Sequence, residues 1–209
     1  KLVAQTKNIG LKVLLDVMGF KNIDSTAISF GIAPRINACG RMGHQEDALK
    51  LFTTKDINEV IKLAEKLNEY NKERQDIEKN IYNEAIEIID KDDLDKKNTI
   101  VVMGKNWHHG VIGIVSSKIT ELYFKPSILL CEEDDHGKGS GRSIPGFDLY
   151  KALTECKDTI DKFGGHSMAV GINVKKEQFN EFRNKLEEIA KEQHIEEIVP
   201  ILNIDAQVE

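Results

Sequence analysis

The stretch from Asp56 to Asp90 constrains this chain more than any other. Ile57, Val60, Ile61, Ala64, Leu67, Tyr70, Ile77, Ile81, Ala85 and Ile88 recur at three- and four-residue steps, the spacing of one helical face. Asp56 and Glu59 stand where a capping pair would open that helix. At ~1.5 Å per residue it would be on the order of 50 Å long, more than a small domain needs. Its middle, NEYNKERQDIEKN, is almost entirely polar, which predicts a bridge between two globular parts. The apolar seam lapses around Asn71 to Asp76, and that argues against a coiled coil.

On the N-terminal side, Leu11, Leu14, Leu15 and Met18 share one face of a short amphipathic helix, with Gly19 placed to cap it. In ISFGIAPRINACGRMGHQEDALKLF, Pro34, Gly40 and Gly43 interrupt the periodicity until a second short helix starts near Gln45. The segment is expected to be a structured connection that carries Arg35 and Arg41. Beyond the long helix, KDDLDKKN is a charged linker, and strands and helices then alternate. TIVVMG, PSILLCE and MAVGINV are expected strands, GKGSGRSI a glycine-rich edge or strand, and GVIGIVSSKITELYF, Phe147 to Glu155 and Glu177 to Gln193 helices. That order predicts an α/β fold, a small domain with a mixed sheet preceded by the long connecting helix. VPILNIDAQVE opens with an apolar–polar alternation like the first strand of a further domain.

With 209 residues, 40% of them hydrophobic, the chain can bury a core. No apolar run approaches the roughly 20 residues of a membrane span, and no secretory pattern opens the sequence. The start at Lys1, without an initiator methionine, suggests a piece of a longer protein. Cys39, Cys131 and Cys156 are dispersed and odd in number, against a disulfide framework or a zinc knuckle, so a reducing, cytoplasmic home is expected. The net charge of −6 argues on average against a nucleic-acid partner. The charge is segregated, however: residues 137–176 hold seven Lys/Arg against four Asp/Glu, and residues 177–197 hold seven acids against three bases. The unusual motifs lie in the positive part.

GKGSGRSIPGFDLY invites an anion, since glycines let backbone N–H groups approach and Ser and Arg add charge-assisted hydrogen bonds. It matches neither the Walker pattern nor the dinucleotide fingerprint. As a strand it would put Ser140 and Arg142 on one face, and an ordinary edge strand with an exposed arginine is the plain alternative. In KFGGHSMAVG, Gly164 and Gly165 permit close backbone approach beside His166, which is either a hydrogen-bond donor to phosphate or a polar turn residue. NWHHGVIGIVSSK sets His108 and His109 between a strand and a helix that starts near Gly110, where free N–H groups and the helix dipole favour an anion. No HExxH or spaced Asp/His set accompanies these histidines, so no complete metal site is expected, and no GxSxG elbow or activated cysteine points to a covalent nucleophile.

Taken together, FGIAPRINACGRMG, WHHGVIGIVSSK, GKGSGRS and FGGHSMAVG resemble, in this order and spacing, the RecJ exonucleases of the DHH phosphoesterase superfamily. The resemblance runs over nearly the whole chain. It implies that 1–53 is the tail of an upstream DHH domain with its junction, 54–92 a connecting helix, 93–198 a DHH-associated α/β domain and 199–209 the start of an OB fold. It implies that Arg35 and Arg41 belong to a junction motif near the cleft, and that His108, Ser140, Arg142, Gly165 and His166 bind the nucleic-acid backbone, Arg142 and His166 in support of catalysis. His109 falls at a variable position of the family pattern and takes no role. The implied cofactors, Mn²⁺ or Mg²⁺, belong to the absent N-terminal half, where two ions would activate water and stabilise the leaving oxygen. The implied reaction is 5′–3′ hydrolysis of single-stranded DNA in repair and recombination, with single-strand-binding protein as a further partner and no membrane. This portion alone would bind without hydrolysing. Another DHH-family phosphodiesterase, acting on short RNA or cyclic dinucleotides, and a non-catalytic binding module remain the alternatives.

Overall fold

The computed structural model describes residues 3, 5–19, 23–201, 204 and 206. The chain divides into two compact units, Lys1–Lys79 and Asn80–Glu209.

In the first unit, α1 (Ile9–Met18) starts at Asn8, whose Oδ1 accepts from Leu11 N at 2.9 Å, and ends at Gly19 in the left-handed region, φ 67°. A helical turn of wider, π-type pitch (Ala27–Ile32) runs directly into α2 (Ala33–Arg41), and α3 (Gln45–Thr53) follows. The connection expected around Pro34 is therefore helical. Pro34 follows directly on the π-type turn, so the residue with no N–H to donate falls where the helical hydrogen-bond register changes and the run continues through it, and Gly40 is tolerated one residue before the helix ends. The long helix α4 (Ile57–Lys91) is continuous over 35 residues. Its start differs in detail from the expected capping pair: Asp56 Oδ1 accepts from Asn58 N, while Glu59 accepts the Thr54 hydroxyl at 2.7 Å. Leu14, Leu15, Ile32, Cys39 and Leu51 form a core with Val60, Ala64 and Leu67 of α4. The polar middle of α4 is not simply solvated. Asn71 and Glu78 are each 6% exposed, and Arg74 bridges them, its Nη2 2.7 Å from Asn71 Oδ1 and its Nη1 on Glu78.

The second unit is a five-stranded mixed sheet in the order β1 (Ile100–Lys105), β2 (Ser127–Glu132), β3 (His136–Arg142), β5 (Ala169–Lys175), β4 (Lys162–His166). Only β1 and β2 are parallel, joined through α5 (His109–Tyr123) as a parallel crossover requires. Glu187, on α7 (Phe179–Glu192), fixes the start of β1 by accepting from the N–H groups of Asn98 and Thr99 and from the Thr99 hydroxyl. Val170, Ile172 and Val174 of β5 point to one face, where they share a core with Leu149 and Leu153 of α6 (Leu149–Glu155) and Phe182 and Leu186 of α7. On the other face α5 packs against β2 and β3. There Ser116 and Thr120 bond the buried Ser127 hydroxyl at 3.1 and 2.7 Å.

Two sequence expectations change. GKGSGR is the central strand, not an edge. KFGGH, expected to be a turn, is itself the edge strand β4, because Gly164 and Gly165 pair with Gly171 and Val170. Ile201 is exposed and without regular structure, and most of the strand expected over 199–209 lies outside the described residues.

Candidate nucleic-acid interface

The alternation of β3 divides its residues by face. Gly137, Gly139 and Gly141 turn toward tightly packed neighbours: an added Cβ would meet Met103 Cε at 2.4 Å, Leu129 O at 2.4 Å and Val170 Cγ2 at 2.8 Å respectively. These glycines serve packing rather than ligand approach. Lys138, Ser140 and Arg142 take the opposite face, the α5 side. Arg142 Nη1 donates to Ser140 Oγ and to Gly141 O, each at 2.8 Å. Gly113 of α5 faces this pair, its Cβ position only 3.1 Å from Ser140 Oγ and 3.2 Å from Arg142 Nη2. Glycine there leaves room for the guanidinium to lie over the strand.

Register brings His166 to the same row. Arg142 pairs with Ala169, and Ala169 with His166, so the arginine and the histidine stand two strands apart on one face, about 10 Å between backbones. His166 is exposed, and its Nδ1 accepts from Met168 N at 3.3 Å, which leaves Nε2 as the N–H donor. Gly165, at φ 144°, is required by the hairpin: a Cβ would lie 2.2 Å from Ala169 O. His108 caps α5, its Nδ1 accepting from Gly110 N at 3.1 Å, so it too presents an Nε2–H.

The loop that carries His108 is anchored by a residue the sequence reading passed over. Trp107, buried and packed against Gly104, donates from Nε1 to Glu84 at 2.7 Å. A single tryptophan was the available signal, since a buried indole N–H needs an acceptor. Ser140, Arg142, Gly165 and His166 thus share one sheet region, and His108 opens the helix packed on it. Arg35 and Arg41 belong to the first unit. Arg35 is engaged there, Nε on Asn68 Oδ1 and Nη1 on Gly31 O, each at 2.9 Å, and Arg41 is the exposed last residue of α2.

Residues 95–192 match the DHHA1 domain. The chain is 37% identical over 206 residues to the single-stranded-DNA-specific exonuclease RecJ of Bacillus subtilis, covering 96% of this chain and 26% of that protein. The chain belongs to the RecJ family of the DHH superfamily. The Escherichia coli RecJ is 32% identical over 194 residues, 88% of this chain and 33% of the relative. Thermus thermophilus RecJ, solved in complex with Mn²⁺, superposes with a TM-score of 0.80 at 30% identity, covering 91% of this chain and 28% of that one. An exonuclease RecJ bound to manganese gives 0.83 at 30% identity, with 94% and 49% covered. The chain therefore spans about a quarter to a third of the curated relatives' length, in their C-terminal core region.

The residues present do not fit the metal site of those relatives. Among the described residues no group of three His, Cys, Asp or Glu could hold an ion. His109 is turned to Glu133 at 2.6 Å, and His136 is held between Asp135 and Asp161. Among the described residues no helix is long and apolar enough to cross a membrane.

Proposed function

We propose that this chain is the backbone-binding portion of a 5′–3′ single-stranded-DNA exonuclease that acts in repair and recombination in the cytoplasm. Hydrolysis depends on Mn²⁺ or Mg²⁺ held by a preceding DHH domain, and those ions supply the hydrolytic chemistry. The chain's own groups bind and orient the strand. Arg142 gives planar, charge-assisted donors to phosphate oxygens. Ser140 Oγ accepts from Arg142, so its own proton can go to the same phosphate. His166 and His108 add Nε2–H donors, and the backbone at Gly165 carries His166 into position. In this reading Arg35 and Arg41 form the junction. The organisation is 1–53 tail and junction, 54–92 connecting helix, 93–198 DHH-associated domain and 199–209 opening of an OB fold, with single-strand-binding protein as a further partner.

The observation that carries the reading is the Ser140–Arg142 pair on one face of β3, with the exposed His166 in the register row of Arg142 two strands away. The test is the full-length protein with Arg142→Ala. Loss of one charge-assisted contact, about 1.5–3 kcal/mol, predicts roughly 10- to 100-fold weaker binding of single-stranded DNA in chelator, and slower cleavage of a 5′-labelled strand in Mn²⁺. Unchanged binding refutes the assignment. A preference for short RNA or cyclic dinucleotides over long DNA would instead favour another DHH-type phosphodiesterase.

A further inference from the structure

Next to the row of Arg142 and His166, the same sheet face carries two more rows. The first is Ser140, Gly171 and Gly164; the second is Lys138, Asn173 and Lys162. Rows on one face follow at about 7 Å, two strand residues. That distance is close to the step between neighbouring phosphates of an extended single strand.

Beyond Ser140 the middle row is bare for no internal reason. Unlike the β3 glycines, Gly164 and Gly171 face open space: a Cβ on either would meet nothing within 4 Å, and neither has a positive φ. Two paired glycines in strand interiors weaken a sheet, and where no protein atom needs the room they mark the approach of a ligand. The last row has the matching polar groups. Lys138 and Lys162 are exposed and form no ion pair among the described residues, whereas Lys176, Lys185 and Arg183 of this unit each hold a carboxylate. Asn173, between them, has a buried Oδ1 without a hydrogen-bond partner. The three residues line a groove of about 470 Å³ floored by Gly171. Glu133 stands at its rim, bonded to His109 in the first turn of α5, so the positive end of that helix dipole lies at the same place.

We infer that Lys138, Asn173 and Lys162 form a second phosphate subsite, one nucleotide step beyond the Ser140–Arg142 grip, with the strand lying over Gly164 and Gly171. The inference rests on the proposed backbone binding. The lysines take the phosphate, and Asn173 Oδ1 accepts from a base N–H of the same nucleotide, which in thymine is N3–H.

The test uses the full-length protein in chelator, with a 3′-labelled oligothymidylate read by fluorescence anisotropy over a series of salt concentrations. Lys138→Ala with Lys162→Ala is expected to weaken binding about tenfold and to flatten the slope of log K against log salt by about 0.7, the value for one lost phosphate contact on a single strand. Gly171→Val, a residue that favours strands and whose Cβ meets nothing within 4 Å, is expected to weaken binding while leaving the melting temperature unchanged or higher. Glu133→Gln is expected to tighten binding. If the double lysine variant keeps wild-type affinity and slope while Arg142→Ala weakens binding, this inference fails and the proposed function stands. If Arg142→Ala has no effect and the lysine variant does, the Ser140–Arg142 grip fails and the inference, which rests on it, fails with it. If both bind normally, both fail.

Discussion

Adjacent glycines in β4 should respond to the same substitution with opposite signs. Gly164 faces open solvent, and an added methyl touches nothing, so Gly164→Ala should stabilise by about 0.5–1 kcal/mol through the unfolded chain's lost freedom. Gly165 has φ 144°, a region an L side chain pays about 1–3 kcal/mol to occupy. Its Cβ would also sit 2.2 Å from Ala169 O and 2.8 Å from Val170 Cα, both backbone atoms of the paired strand that cannot rotate aside. Forcing β4 and β5 apart adds an overpacking cost of about 1–3 kcal/mol. Together these give about 4 kcal/mol, and at roughly 3–5 °C per kcal/mol for a unit of this size, a melting midpoint about 15 °C lower. Thermal unfolding followed by circular dichroism reads both variants. Equal shifts, or a Gly165→Ala protein as stable as wild type, would refute the division of these two glycines into one that shapes the hairpin and one that does not.

The Trp107–Glu84 bond offers a spectroscopic test, because Trp107 is the single tryptophan. Glu84→Ala leaves a buried indole N–H without an acceptor, which should cost about 1–3 kcal/mol, shift tryptophan emission, and weaken strand binding through the displaced His108 loop. Glu132 is held below its ordinary value of 4.5 chiefly by the hydrogen bond from Lys176, at 2.7 Å. A depressed carboxylate contributes stability above its unfolded pKa and loses it as the pH falls through the folded value. The melting difference between wild type and Lys176→Ala should therefore be present near neutral pH, shrink below 4.5 and vanish in strong acid.

The long helix and most of the sheet were legible because their apolar residues keep one period: Ile57 to Tyr70 and Ile77 to Ile88 at helical steps, TIVVMG and PSILLC as continuous buried runs. The misses share a cause, that glycine and proline report local conformation only through what surrounds them. Pro34 interrupts a pattern in one dimension, yet it falls where the π-type turn passes into α2, and the helix continues through it. Gly164–Gly165 reads as a turn, whereas pairing to Gly171 and Val170 makes it an edge strand. GKGSGR was legible as a strand that presents Ser140 and Arg142 together. The role of its glycines was not, because Met103, Leu129 and Val170, which exclude a Cβ at 137, 139 and 141, come from other strands.

A chain of net charge −6 can offer a surface to phosphate because its charges are divided between the two faces of the sheet. The acids of α7 lie on the helix whose apolar side packs against Val170, Ile172 and Val174, so they belong to the layer on the far face of the sheet. Lys138, Arg142 and Lys162 project from the near face, where β5 contributes Ala169, Gly171, Asn173 and Lys175 and therefore no carboxylate. A sheet about 10 Å from its packed layer separates the two charge sets by roughly the screening length at 0.1 M salt. The sign a strand meets on approach is therefore set by the face, not by the total. Moving one carboxylate onto that face, at Gly171 or Ala169, should reduce binding more than adding several to α7.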